Sequence, residues 1–368
     1  MSVPAFTYSV AREAPEEVRD DLLRLWRANL TLATGADDKF RWLYRDAPDA
    51  AEVVFVLRAR AANGAEQVVG TSGLGVRRFQ LGRTGREGRA GVCGDLAVDH
   101  AHRGLLPALR LLRAVQELGA ETFDVAYGFP NKKAEGVMMR AGFRLLGKAR
   151  RRVRVLRFAP YAARLSERAT LPASVARIAQ RPLVARAAGV LVDGARLLAG
   201  APGVVRAATR YRFAWAPRFD ERFDALWASA RSDYDIVGAR TSKFLAWRYP
   251  DCEIATVSRR DDGRLGAYAI IERDPKTDMA RIRDVFGHAD ALEPLLDLLV
   301  PALWRRGAAS ASVSFLGAPR LARLLDARGF ELRGDDRTIV VHVGKSAADD
   351  AGIVDAERWH LFDLDEDT

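Results

Sequence analysis

The groups able to do chemistry are concentrated between Gly94 and Leu109, which reads Gly-Asp-Leu-Ala-Val-Asp-His-Ala-His-Arg-Gly-Leu-Leu-Pro-Ala-Leu. The pattern predicts a strand that ends in an Arg103-Gly104 turn, with a helix opening immediately after it. A helix N-terminus presents unpaired N–H groups and the positive end of its dipole, so a pyrophosphate can dock there. Gly104 lets the backbone come close to phosphate oxygens, and small Ala108 permits the same one turn further on. A second element follows at a matching distance. Tyr127-Gly128-Phe129-Pro130-Asn131 ends a strand, and Lys132-Lys133-Ala134 opens a helix that runs to Gly142-Phe143. Other chemistries find no support in the sequence. There is no histidine-carboxylate cluster with metal spacing, no Gly-x-Ser-x-Gly and no paired-cysteine motif, so neither a metal nor a covalent nucleophile is expected.

Together these two elements resemble the GNAT superfamily of acyl-CoA-dependent N-acyltransferases. Leu96-Ala97-Val98 through Ala108 is similar to its phosphate-loop motif, and Asn131, Ala134 and Gly142-Phe143 keep the spacing of the next helix and strand. The resemblance covers roughly residues 5 to 150, with a degenerate second copy from about 211 to 343. Phe129-Pro130-Asn131, the repeated Trp-Arg-Tyr residues and the closing Trp359…Asp363-Leu364-Asp365 look like a bacterial branch with tandem domains. The resemblance implies acyl-CoA as co-substrate and an amine as acceptor. It would give Leu96, Ala97 and Val98 to pantetheine, the amides from Arg103 and Gly104 through Leu105, Leu106 and Ala108 to the pyrophosphate, and Asn131 to the neighbourhood of the thiol. Three positions depart from the pattern. Leu106 and Ala108 stand where the family usually has glycines, with Pro107 between them, and Met138 replaces a tyrosine that protonates the leaving thiolate in many members. The second copy reads Gly287-His288-Ala289-Asp290 where an Arg-Gly turn would open a helix, so one cofactor site is expected, in the first copy.

Amine acylation needs a neutral amine, so a carboxylate or imidazole must accept its proton directly or through water. Asp95, on the strand at the turn, is the first candidate base. His100 and His102 flank the loop, where a histidine is more often a solvated or packing residue, and Tyr127 on the next strand could supply a proton to the thiolate, with core packing of its ring an equal account. Asp363 and Asp365 could fold back from the C-terminus, although a solvated acidic tail is the default reading.

The elements that must position these residues alternate. A strand at Phe6 to Ala11, helices from Glu16 to Leu30 and near Asp38 to Arg45, strands at 53–59, 66–79 and 90–99, then helix-strand-helix-strand, make a three-layer α/β domain. Much of this recurs. Lys39-Phe40-Arg41-Trp42-Leu43-Tyr44-Arg45 is echoed by Lys243-Phe244-Leu245-Ala246-Trp247-Arg248-Tyr249, and Gly142-Phe143 by Gly329-Phe330. The expected fold is therefore α/β with tandem GNAT-like domains: residues 1–156, a basic amphipathic helical connector at 157–210, a degenerate copy at 211–345 and an acidic tail at 346–368. The connector pattern suggests two or three short helices, apolar on one side and arginine-rich on the other.

The chain has 368 residues, 49% apolar and 29% charged, with net charge +10 and two cysteines. That balance excludes a disordered chain or a disulfide scaffold. No stretch is long and apolar enough to span a membrane, and no leader is evident, so a cytoplasmic location is expected, with peripheral contact at the inner membrane surface as an option. Charge is uneven. Residues 148–218 hold sixteen Lys or Arg against Glu167 and Asp193, a surplus of fourteen, so the rest is net acidic by four. Such a surface suits anionic lipid or phosphates; scarce interleaved aromatics disfavour nucleic acid. The acceptor amine stays open between a long-chain, sphingoid-type lipid, as for bacterial GNAT-like ceramide synthases, and a sugar amine. Fem-type transfer from aminoacyl-tRNA and a non-catalytic CoA- or lipid-binding protein are the other classes.

Overall fold

A computed structural model describes residues 6–158 and 182–366, apart from 33, 52, 83 and 84. The first half runs β1 (Thr7–Glu13), α1 (Arg19–Asn29), α2 (Ala36–Tyr44), β2 (Val54–Arg60), β3 (Glu66–Leu81), β4 (Arg86–Val98), α3 (Leu105–Thr122), β5 (Val125–Gly128), α4 (Lys132–Arg140) and β6 (Arg144–Val155). Helix α5 (Pro182–Arg210) leads into β7 (Tyr211–Ala216), α6 (Glu221–Ala230), β8 (Ile236–Gly238), α7 (Ser242–Arg248) and β9 (Glu253–Arg259). Then follow β10 (Leu265–Asp274), β11 (Met279–Gly287), α8 (Leu292–Arg305), β12 (Ser310–Gly317), α9 (Pro319–Asp326), β13 (Glu331–Val343) and β14 (Trp359–Phe362). Apart from β8 and β14, the second half repeats the order of the first.

The strands form one sheet in the order β1-β2-β3-β4-β5-β13-β6-β12-β11-β10-β9-β7, with β14 and β8 off this path. The closing strands are exchanged between the halves. β5 takes β13 as its antiparallel neighbour (Val340↔Gly128, Val343↔Val125), and β12 takes β6 (Ser310↔Val155, Phe315↔Arg150). β6 and β13 then pair with each other along most of their length. Each half thus caps the other's sheet, and the hydrogen bonds of β5 and β12 are completed only by the partner half.

The echoed aromatic patches meet. Trp42 on α2 and Trp247 on α7 stack with ring centroids 4.5 Å apart and 9° between their planes. Each indole N–H donates to the other residue's carbonyl, at 3.4 and 2.9 Å. The main apolar clusters lie between the sheet and its helices. In the first half Trp26, Phe40 and Val54 pack beneath α1 and α2, and Phe55, Leu111 and Val115 beneath α3. The largest cluster fills the second half around Phe223, Tyr268, Phe286 and Leu299.

Two expectations differ from the structure. The connector residues from 182 on form one long helix, although Gly194, Gly200, Pro202 and Gly203 interrupt its pattern. Docking against α8 overrides local propensity: a Cβ at Gly203 would meet the Asp297 carboxylate at 3.0–3.1 Å, so the glycine permits close approach. Residues 159–181 of the connector lie outside the described residues. The basic run is also divided. Arg152 is buried and pairs with Asp326 at 2.9 Å, while Arg154 and Arg157 donate to the carbonyls of Arg328 and Trp304. These arginines tie the exchanged β6 and the residues just after it to the second half; on α5, the Arg206 side chain is 72% exposed, 3.6 Å from Glu293.

Candidate active site

Strand β4 carries the site because it leaves its neighbour. Parallel pairing of β4 with β5 runs from Ala90↔Val125 to Cys93↔Gly128 and stops. On the other side, the register with β3 slips between Thr71↔Ala97 and Gly73↔Gly94, so Asp95 and Leu96 share Ser72 as their opposite residue. This is a β-bulge. It is made at Asp95, whose φ of 56° lies in the left-handed region that aspartate tolerates better than most residues. The bulge bends β4, and the parting of β4 and β5 leaves a cleft of about 410 Å3. Beyond the Cys93↔Gly128 pair, β4 has no further pairing with β5 among the described residues, which leaves backbone at Leu96 and Ala97 facing the parting, while the Val98 carbonyl accepts from Arg103 at 3.3 Å.

The turn after β4 is a short 3₁₀ segment (His100–His102) capped by Asp99, whose carboxylate accepts from the Ala101 N–H. Gly104 is the N-cap of α3 and has no side chain to satisfy the first amides of the helix. The N–H groups of Leu105 and Leu106 open the helix; Pro107 has none to offer. Leu106 is 55% exposed, so its side chain points to solvent and does not crowd this end. Arg103 reaches back over the turn, donating to Asn29 Oδ1 at 2.8 Å and the Val98 carbonyl at 3.3 Å. Asn131 caps α4, accepting at 3.0 Å from the N–H groups of Lys133 and Ala134.

The cleft brings together several expected residues: Asp95, Leu96 and Asn131 line it, with Cys93, Phe129 and Met138. Two proposed catalytic residues stand elsewhere. Tyr127 is fully buried on the opposite face of the sheet, against Phe79 and Trp359, and its hydroxyl donates to the Asp365 carbonyl at 2.7 Å. Side chains alternate along a strand, so the position that places Gly128 at the parting turns Tyr127 away from it. His100 is a surface residue, its side chain 86% exposed and its Nδ1 3.2 Å from Asp99. His102 packs on Phe6 and hydrogen-bonds with Tyr8 and Gln67.

Two charged lining residues were not expected. Lys39 of α2 places its ammonium 2.7 Å from Asp95, both side chains nearly buried. Its place in the Lys-Phe echo was visible in the sequence, but its partner was not. The second is Glu366, whose side chain is only 12% exposed. Burial pushes its carboxyl above the usual range, against the pull of Arg337, which ion-pairs with it. The expected solvated tail is therefore a correction. Trp359 to Phe362 are buried as β14, Asp365 is 1% exposed and pairs with the buried Arg240 at 2.9 Å, and Asp363 pairs with Arg283 at 2.7 Å. Arginines of the second half take the place of water around this acidic segment.

A larger cleft, about 880 Å3, lies at the other end of β3 and β4 beside Arg12, Arg89 and Trp227, and contains none of the expected residues. Among the described residues, no three His, Cys, Asp or Glu side chains group as metal ligands, and no helix is long and apolar enough to cross a membrane.

No family model and no curated protein sequence matches the chain. Solved structures do. A probable N-acyltransferase from Enterococcus faecalis V583, described as a conserved protein of unknown function, superposes with a TM-score of 0.61 at 11% identity, over 92% of this chain and 73% of its own. GCN5-related N-acetyltransferases from Anabaena variabilis and Kribbella flavida give TM-scores of 0.59 and 0.57, each at 12% identity and over 92% of this chain, with 73% and 71% of their own lengths covered. The parted β4–β5 pair, the uncapped start of α3 and these superpositions agree: the chain has the fold of the GCN5-related N-acetyltransferases.

Proposed function

We propose that the protein is an acyl-CoA-dependent N-acyltransferase acting in the first-half cleft. The observation that carries this reading is the parting of β4 from β5 after Cys93, with Leu96 to Val98 running straight into the uncapped N-terminus of α3. A pantetheine arm fits such a parting, and a pyrophosphate fits amides without partners. The donor supplies a thioester; the chain's part is to hold it and to bring a primary amine to its carbonyl carbon. A carbon–nitrogen bond forms, the carbon–sulfur bond breaks, and one proton leaves the amine. Leu96, Ala97 and Val98 offer main-chain hydrogen bonds to the pantetheine, and Gly104, Leu105, Leu106 and Ala108 surround the phosphates. Asn131, occupied as a helix cap, fixes the far wall. Arg103 adds positive charge beside Asn29.

The acceptor is read as a lipid amine rather than a sugar amine. Helix α5 exposes Leu191, Leu198 and Val205, each at 63–75%, at seven-residue spacing beside Arg206. An apolar stripe with flanking cations suits the surface of an anionic membrane.

The test is thermal unfolding of the wild type and Arg103→Glu, titrated with CoA, acetyl-CoA and palmitoyl-CoA. A ligand at 100 times its Kd adds about 2.7 kcal/mol. Stabilisation of the wild type, lost in the variant, is expected, larger for palmitoyl-CoA if the lipid reading is right. No shift with any of the three overturns the acyl-CoA reading and brings transfer from aminoacyl-tRNA forward.

A further inference from the structure

We infer that the second half of the chain has turned its own cofactor cleft into a holder for the C-terminal segment, and that the segment so held delivers the Glu366 carboxylate into the first-half cleft as proton acceptor. This rests on the acyl-transfer reading above.

The two halves show the same strand parting with different contents. β11 pairs in parallel with β12 from Met279↔Ser310 to Ile282↔Val313 and stops, as β4 and β5 stop at Cys93↔Gly128. Beyond that point β12 is not left open. β14 pairs with it through Phe315↔Phe362, Leu316↔Leu361 and Gly317↔His360. The opposite edge of β12 is occupied by β6, so β14 enters on the side of β11. There the His360 ring donates to the Val285 carbonyl at 2.8 Å. The chain's own strand thus lies where the first half keeps its cleft.

After β14 the segment is gripped by arginines of the second half. Arg240 holds both oxygens of Asp365 at 2.9 and 3.2 Å. Arg248 donates to the carbonyls of Asp363 and Glu366 at 3.1 and 2.8 Å. Arg337 ion-pairs with both side chains, and Arg283 with Asp363. Tyr127 adds one hydrogen bond from the first half. The result is a buried carboxylate in the cleft beside Asp95, Phe129 and Asn131. Asp95 lies deeper, its side chain 3% exposed and 2.7 Å from the Lys39 ammonium, whereas the Glu366 side chain is 12% exposed. Glu366 lines the cleft and is held there by the Arg337 guanidinium, so its carboxylate is placed to take a proton from a substrate amine. In the transfer step the amine proton goes to Glu366 as the carbon–nitrogen bond forms and the carbon–sulfur bond breaks, and that proton then passes through solvent to the CoA thiolate, regenerating the carboxylate. Glu366 is thereby a catalytic residue; Arg337, Arg240 and Arg248 are positioning residues.

Two measurements test this. The first is thiol release from acetyl-CoA with spermidine, glucosamine and sphinganine as probe amines, between pH 5 and 9. Glu366→Gln should lower the rate 10²–10⁴-fold and abolish its fall on the acid side, with acetyl-CoA affinity by calorimetry unchanged. Glu366→Asp should restore part of the rate. Arg337→Met should move the acid limb upward in pH and Arg337→Lys should return it, whereas a merely structural role would lower the rate evenly at every pH. A Glu366→Gln rate within threefold of wild type, with the acid limb intact, overturns the inference. The second is hydrogen exchange of the full chain, which reads out even with amines that are not turned over. Residues 359–366 should be protected in the wild type, lose protection in Arg240→Met, and gain it when acetyl-CoA binds. Exchange at free-chain rates in the wild type, or no response to bound acetyl-CoA, also overturns the inference. Absence of acetyl-CoA binding by the wild type is a separate result, and it overturns the proposed activity itself.

Discussion

Trp42 and Trp247 are stacked, and each donates its indole N–H to the other's carbonyl. Such reciprocity is what a local two-fold axis produces, and the two residues sit on corresponding helices of the two halves. They join the lobes at the side where α2 supplies Lys39 to the cleft. Replacing either by alanine should cost about 1–3 kcal/mol, because each ring is half-buried and surrenders one hydrogen bond. The double variant should cost about 1 kcal/mol less than the sum of the two, since the stacking is lost once. A urea double-mutant cycle checks this, and strict additivity would deny the pair any coupling.

The strand exchange makes a different demand. Residues 1–158 alone would leave β5 without β13 and the arginines of β6 without Asp326 and the Arg328 carbonyl. This fragment should be aggregated or unfolded when expressed alone and should become soluble when co-expressed with residues 182–368. A protease site placed between 158 and 182 in the full chain should, after cleavage, yield two fragments that co-purify. A first half that gives a cooperative melt on its own would contradict the exchange.

Arg240 is fully buried with Asp365 and Asp284, and Tyr268 donates to the other oxygen of Asp284 at 2.8 Å. Desolvation is the largest effect on the guanidinium, but the two carboxylates win and hold it firmly charged. Asp284 is pushed upward by its burial. Removing the cation leaves two carboxylates buried without it, so Arg240→Met should cost about 3–5 kcal/mol at pH 7. The loss should shrink as pH falls, because protonation relieves the uncompensated charges. Denaturant midpoints at pH 7 and pH 5 check both parts.

Much of this molecule is legible in its sequence. The strand-turn-helix from Gly94 to Ala108 is local, its period and turn residues adjacent in the chain, and it stands where it was expected. The echo of Lys39-Phe40-Arg41-Trp42 in Lys243-Phe244-Leu245-Ala246-Trp247 is likewise a property of short windows. What the sequence hides is long-range. Nothing near Arg144 says that β6 will pair with β12 rather than β5, because either neighbour accepts the same alternation. Asp363 to Glu366 look like a solvated tail because their partners, Arg240, Arg248, Arg283 and Arg337, lie 26 to 125 positions away. Tyr127 and His100 were attractive by residue type, but strand alternation and a surface turn decide where they point.

His360 gives a prediction with a defined pH window. Its ring is buried in the second-half core, donates to the Val285 carbonyl and lies near Arg240, and burial drives its pKa down to about 3. In the unfolded chain it titrates near 6.5. Above pH 6.5 both states are neutral there, and the full contribution to stability is present. Between 6.5 and about 3 the unfolded chain takes up a proton that the folded one refuses, so stability falls with pH. His360→Gln keeps an N–H donor for Val285 and removes the titration. It should lose some stability at pH 7 from imperfect packing against Tyr234 and Phe362. Below pH 6 its stability should decline more slowly than that of the wild type, so the two curves converge or cross. Guanidinium unfolding from pH 4 to 7.5 provides the comparison, and parallel curves would mean that His360 titrates alike in the folded and unfolded chains.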